Sequence, residues 1–266
     1  MKPIHSLKTI KINSHLIVIR EKLNDIDPRL LTEYTNIYLI LGTHSALLLD
    51  TGSGLCSIKE AIRHYIEDRK LIVLNTHSDW DHVGGNFEFQ KIFIHELEKK
   101  RISNTLDISI LKSSPKSIVK KFESNDFKIK PASSIEGLKE GDKIDLGNIQ
   151  VKVFQTPGHS VGSISLLSSR GELFTGDTAH YGTVYLPEKG DIVEFISSLE
   201  RLIRLSNIDT KIFPSHEQYD VDNNLLTDLL EKVISIDRNW DKRKYNDFLK
   251  SWIINDNPFK LIVPKS

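Results

Sequence analysis

Cysteine is almost missing from the 266-residue chain: Cys56 stands alone, so neither an intramolecular disulfide nor a thiolate metal cluster can form. Zinc-finger and disulfide-framework readings are excluded, and any metal must be held by histidine and carboxylate. An excess of charge is missing too. The 36 Lys and Arg balance 36 Asp and Glu, and the basic runs Lys99–Arg101 and Lys242–Lys244 are short, so no global field exists to hold a polyanion and no nucleic-acid partner is expected. Long hydrophobic runs are absent as well. The apolar run Leu16–Ile19 near the start is too short for a signal-peptide core, and no stretch approaches the roughly 20 apolar residues of a membrane span. The expectation is a soluble cytoplasmic protein with no membrane partner, in which Cys56 stays reduced. What is present, 39% hydrophobic and 27% charged residues, is an ordinary globular composition at a length that suits one large α/β domain or two small ones.

Short β-rich runs (Thr9–Ile12, His15–Arg20, Asn36–Leu41, Ser45–Leu49) open the chain and predict strands. After Gly52-Ser53-Gly54, the residues Leu55, Ile58, Ile62 and Ile66 lay one apolar stripe along a helix, and Lys70–Leu74 predicts a buried strand. The polar segment Thr76–Gly85 follows, at the carboxyl end of a strand, where α/β folds place their sites. Lys99–Lys130 is Ser- and Lys-rich and only weakly helical, which predicts a mobile surface insertion. Beyond it, strands are expected at Lys143–Leu146 and Ile149–Phe154 around a Gly147-Asn148 turn, and at Ser163–Leu167 and Glu172–Phe174. A helix over Ile192–Ile203 and a strand at Lys211–Phe213 complete a second half that resembles the first in plan. From Val221 the pattern is helical, and the aromatic residues Trp240, Tyr245, Phe248, Trp252 and Phe259 predict a tail that packs, on its own domain or against a second subunit in a homodimer.

His77-Ser78-Asp79-Trp80-Asp81-His82 gathers two imidazoles and two carboxylates in six residues, a combination solvated loops seldom need. Downstream, Thr156-Pro157-Gly158-His159-Ser160, Phe174-Thr175-Gly176-Asp177-Thr178 and Pro214-Ser215-His216-Glu217 each follow a predicted strand. Four strand ends thus deliver metal-type ligands. His5, His15, His44, His64 and His95 have nothing convergent around them and read as ordinary residues. Trp80 reads as packing under the loop, and Gly84-Gly85-Asn86 as a tight backbone exit from it.

On these motifs the chain resembles the metallo-β-lactamase-fold superfamily over roughly Leu7 to His216, and most of all its glyoxalase II and lactonase branch. The family signature is His-x-His-x-Asp-His, a His in a TPGH turn, an Asp in a TGD turn and a last His after a strand. The resemblance implies an α/β protein, a four-layer αββα sandwich with its metal site along one open edge between the sheets. In that frame residues 1–220 are the domain, 99–130 an insertion over the site, and 221–266 a C-terminal helical extension packed on the same domain. Carried over residue by residue, His77 and His159 would bind a first divalent ion, Asp81, His82 and His216 a second, and Asp177 would bridge them, with Asp50 of Leu49-Asp50-Thr51-Gly52 steadying the loop. Two such ions, zinc in the first instance, lower the pKa of bound water to about 7 and supply hydroxide for attack on an ester, thioester, lactone or amide carbonyl of a small-molecule substrate. Asp81 is the catalytic residue implied, orienting that hydroxide and taking its proton. His180, Tyr181 and Tyr185, on the loop after the bridging Asp, are the implied substrate contacts.

One position departs from the signature. Asp79 stands where the hydrolases have His, and a third carboxylate favours a harder metal, iron or manganese, over zinc. Asp is also short, so it binds the first metal directly or only through water. An iron-dependent oxidoreductase of persulfide-dioxygenase or flavodiiron type therefore stays open, although the chain after His216 is too short for a flavodoxin domain. A non-catalytic metal-binding regulatory module stays open for the same reason.

Overall fold

The computed structural model describes residues 6–265; His5 and the first residues of the N-terminal stretch lie outside it. The chain divides into two compact units, residues 1–151 and 152–266. The border falls inside one strand.

The first unit is built on a seven-stranded sheet. Strands β1 (Lys8–Lys11), β2 (Leu16–Lys22), β3 (Tyr34–Leu41) and β4 (Ser45–Leu49) run antiparallel, and the chain then crosses through helix α1 (Ile58–Ile66) to the parallel strand β5 (Lys70–Leu74). Helix α2 (Trp80–Val83) follows, then strand β6 (Lys91–His95) and helix α3 (Glu96–Ile102). Strand β7 (Leu106–Asp107), helix α4 (Lys116–Glu123) and strand β8 (Lys128–Ile129) form a side lobe before β9 (Ser134–Leu138) closes the sheet in the order β1-β2-β3-β4-β5-β6-β9. The predicted strands therefore exist, shifted by one or two residues at their ends. β2, β3 and β4 are buried on both faces, as continuous apolar runs require. Ile58 and Ile62 of α1 pack on Ile17, Ile19, Leu39, Leu48 and Val73, the stripe that the helical spacing implied. Ser57 caps α1 by accepting from the Glu60 amide at 3.1 Å.

The segment 99–130 corrects the expectation of a mobile insertion. Ile108, Leu111, Ile118, Phe122, Phe127 and Ile129 are buried in their own cluster with Leu23 and Ile26, and Trp80 and Leu55 pack against it. Asp27 locks the cluster to the body: Arg29 Nε donates to its Oδ1 at 2.9 Å and Ser114 Oγ to its Oδ2 at 2.9 Å. The apolar residues are spaced among lysines and serines without one helical or strand period, so the sequence hides a core that only the fold assembles. Strand β10 (Lys143–Asp145) then turns through Gly147, at φ 104°, into β11 (Gln150–Gln155), the hairpin expected from Gly147-Asn148.

In the second unit β11 is followed in the sheet by β12 (Ile164–Ser168), β13 (Glu172–Gly176) and β15 (Lys211–Pro214), with β13 and β15 parallel. Between these last two lie strand β14 (Gly182–Tyr185) and helix α5 (Ile192–Leu205), and helix α6 (Asn224–Ile234) follows β15. Phe195, Leu199 and Leu202 of α5 and Leu225, Leu229 and Val233 of α6 meet Leu173 and Ile212 in one core. The tail is helical only as far as Ile234. Thereafter strands β16 (Lys244–Asn246), β17 (Ser251–Asp256) and β18 (Phe259–Pro264) form a sheet with β14 in the order β14-β18-β17-β16. Helical extension is thus the wrong description of residues beyond 234: Trp252-Ile253-Ile254 and Leu261-Ile262-Val263 alternate or run continuously as β-branched and aromatic residues do in strands. The tail packs as expected, with Trp240, Trp252 and Phe259 on the α5–α6 core.

Candidate metal centre

In the first unit the motif loop leaves β5 and is organised around one carboxylate. Asp50, at φ 68° just past β4 and 1% exposed, accepts from the Thr76 amide at 2.8 Å, from Thr76 Oγ1 at 2.9 Å and from His82 Nδ1 at 2.9 Å. Since the Thr76 hydroxyl spends its proton on Asp50, its oxygen accepts from His77 Nδ1 at 3.0 Å. Both imidazoles thus carry their proton on Nδ1 and present an Nε2 lone pair, the state in which histidine binds metal. Their ring centroids are 4.1 Å apart. Asp50 accordingly steadies the loop rather than joining it, as the resemblance implied. The His82 carbonyl is held from behind by the Thr51 amide at 2.8 Å and by Asn75 Nδ2 at 3.0 Å. Gly84 makes this return path fit, because a Cβ there would lie 2.2 Å from the Ser53 carbonyl.

Asp81 lies on α2 with Oδ2 accepting from Thr35 Oγ1 at 3.1 Å and standing 3.6 Å from His82 Nε2. Asp79, the N-cap of α2, makes no capping bond. Its Oδ2 is 3.7 Å from His77 Nε2, and its Oδ1 accepts from Arg101 Nη2 at 3.0 Å. Ser78 Oγ donates to the buried Glu98. Helix α3 therefore grips the loop at two consecutive residues. Trp80 packs outward on the side-lobe cluster, as expected.

The second unit supplies its ligands from three separate strand ends. The turn after β11 carries Gly158 at φ 131°, which no side chain adopts without strain and where a Cβ would come within 2.7 Å of Phe195. The next residue, His159, donates from Nδ1 to the Tyr185 carbonyl at 3.1 Å, which again leaves Nε2 as the ligand atom. Parallel pairing of β13 with β15 sets Gly176 opposite Pro214, and the Ser215 amide donates to the Gly176 carbonyl at 3.1 Å. Asp177 and His216 are thereby delivered side by side, with His216 Nε2 2.9 Å from Asp177 Oδ2 and His159 Nε2 3.7 Å from the same oxygen.

His180, Tyr181 and Tyr185 take up different tasks. His180 is fully buried, donates from Nδ1 to the Tyr181 carbonyl at 2.9 Å and stands edge-on to His216 with centroids 5.1 Å apart. Burial first, then the neighbouring His216, pushes its pKa down to about 3, so the ring is neutral. Tyr181 stacks on Phe259 at 5.4 Å and donates its hydroxyl to Asp228 at 3.4 Å, committed to the packing of the tail. Tyr185 contributes its backbone, and β14, which carries it, is paired along its length with β18. The C-terminal sheet thus supports the strand that orients His159, a link the sequence did not disclose. Sequence reading also missed Arg101 and Glu98, hidden in a run that looked like solvated charge; their i, i+3 spacing is the only signal they carried. His95, by contrast, is a helix cap, its Nδ1 accepting from the Leu97 amide at 3.4 Å.

Imidazole Nε2 and carboxylate oxygens without sulfur form a donor set suited to divalent first-row metals. The model of the metallo-beta-lactamase superfamily matches residues 31–238. The acyl-coenzyme A thioesterase MBLAC2 of Homo sapiens is 30% identical over 202 residues, covering 68% of this chain and 72% of that protein. A hydroxyacylglutathione hydrolase of Thermosynechococcus vestitus is 29% identical over 146 residues, covering 54% of this chain and 48% of that one. A metallo-beta-lactamase from Pontibacter korlensis shares the fold at a TM-score of 0.61 and 15% identity, over 86% of this chain and 99% of the other. The chain belongs to the metallo-beta-lactamase superfamily. Within it the chain is a metal-dependent hydrolase. Among the described residues no helix is long and apolar enough to cross a membrane.

Proposed function

We propose that this hydrolase breaks the acyl–sulfur bond of a thioester, or the acyl–oxygen bond of a related ester, by addition of water at the carbonyl carbon, and that His77, Asp79 and His159 would hold one divalent ion, Asp81, His82 and His216 a second, with Asp177 shared between them. The observation that carries this reading is the set of Nδ1 bonds on His77, His82 and His159, to Thr76, Asp50 and the Tyr185 carbonyl, which turns three Nε2 atoms into ready ligands. The thioester class is favoured over lactone and amide because the similar proteins include an acyl-coenzyme A thioesterase and a hydroxyacylglutathione hydrolase. When bound, the metals polarise the carbonyl and acidify a water molecule.

The chain's own residues do the rest. Asp81, whose Oδ2 accepts from Thr35 Oγ1, would serve as the proton acceptor. Neutral His180 stands edge-on to His216 and adds no positive charge beside it. Zinc suits the imidazoles, and Asp79 brings in a harder oxygen that iron or manganese shares equally well. The test is elemental analysis of protein purified without added metal, then release of free thiol from a panel of acyl thioesters before and after chelation. Loss of cleavage on chelation, its return with metal, and a fall of about 10²-fold or more in kcat for Asp81→Asn are expected. Chelated protein that still cleaves the panel, or metal-loaded protein that cleaves none of it, overturns the proposal.

A further inference from the structure

We propose that Asp79 and Arg101 act as one unit that replaces the histidine of the family signature, with Arg101 as a positioning residue for the first metal; the inference rests on the ligand set proposed above. Three observations converge on it. The two oxygens of Asp79 face different groups: Oδ2 lies 3.7 Å from His77 Nε2 and Oδ1 accepts from Arg101 Nη2 at 3.0 Å. Two ligand atoms each about 2.1 Å from a tetrahedral ion stand about 3.4 Å apart, so Asp79 Oδ2 is within a few tenths of an ångström of sharing an ion with His77.

Position is the second observation. Arg101 and Glu98 occupy one face of α3, and they engage Asp79 and Ser78, consecutive residues of the metal loop. Asp79 makes no side-chain cap bond to α2, and the guanidinium on its Oδ1 sets a preferred angle for the carboxylate. Charge is the third. An aspartate in place of a neutral histidine removes one unit of positive charge from the proposed centre, and the guanidinium on its far oxygen returns that unit. The pair presents an oxygen ligand with the net charge of an imidazole.

A double-substitution cycle read as metal affinity tests this. Zinc affinity of the first site is measured by competition with a chromophoric chelator, with metal content by elemental analysis and folding by circular dichroism, on the full chain. Arg101→Met is expected to loosen the first ion roughly tenfold, as loss of a residue that orients a ligand does, while the second ion stays bound. Asp79→His alone leaves an unpaired guanidinium beside the site and also binds loosely. The double variant, Asp79→His with Arg101→Met, restores the family pattern and binds within about twofold of the parent. Arg101→Met binding zinc as the parent does, or a double variant no tighter than Asp79→His, overturns the pairing. Failure of the ligand set itself looks different: a parent protein that takes up no metal at either site sinks the proposed function and not the pair alone.

Discussion

In the first unit the candidate ligands lie within six consecutive residues and are held by side chains; in the second they come from three strand ends and are held by backbone. Asp50 alone collects three hydrogen bonds from the loop that carries His77 and His82. Asp177 and His216, by contrast, stand together because β13 and β15 pair in parallel, and His159 is oriented by a main-chain carbonyl. The difference predicts where each half is fragile. A side-chain scaffold fails when one polar group is removed, whereas a backbone scaffold tolerates that and fails when a φ angle is denied.

The largest effect is expected at Asp50. Its replacement by Ala strands three buried donors, at about 1–3 kcal/mol each before relaxation, and a loss of about 3 kcal/mol in urea unfolding should accompany metal content that falls for the ions of His77 and His82. Retention of full metal content would show that the loop is held by something other than this carboxylate. Gly158→Ala tests the other half. Its φ of 131° and the approach to Phe195 should cost about 2 kcal/mol in the same assay, and ligation by His159 should suffer more than that by His82. An unaffected melting transition would mean that the turn is not rigid.

Asp27→Asn addresses the side lobe, which should loosen by about 1–2 kcal/mol as its charged hydrogen bonds to Arg29 and Ser114 weaken. Burial alone would raise the Asp27 pKa, but the bonds from Arg29 and Ser114 outweigh it and hold the group below its usual range. Its stabilising contribution is therefore present above about pH 4, the ordinary aspartate value, and fades as the pH falls through the lower folded value. The gap between parent and variant should narrow on acidification, and a gap that widens would contradict the assignment. Thr35→Val is the smallest perturbation, removing one bond to Asp81 at about 1 kcal/mol. It should disturb kcat more than KM, since valine nearly keeps the shape of this buried side chain and the bond to the proposed proton acceptor is what is lost.

Much of this was legible beforehand, for reasons that differ from element to element. Ser45–Leu49 and Lys70–Leu74 are strands at the positions their apolar runs imply, the first buried over Ala46–Leu49 and the second only at Val73 and Leu74. The six-residue motif is readable because ligands crowded into one loop have no simpler explanation. The side lobe was not readable, because Ile108, Phe122 and Ile129 contribute one apolar group each from different turns. The β-structure after Ile234 was obscured because a helical repeat runs directly into it.

Sequence by itself determined the class of the protein and the identity of its metal-type side chains, since the chemistry of a ligand resides in its residue type and order along the chain. Only the tertiary structure decided which nitrogen of His77, His82 and His159 is bare, that Tyr181 serves packing, and that Asp79 faces Arg101. Those outcomes depend on directions in space between residues remote in sequence, and no local spacing encodes them.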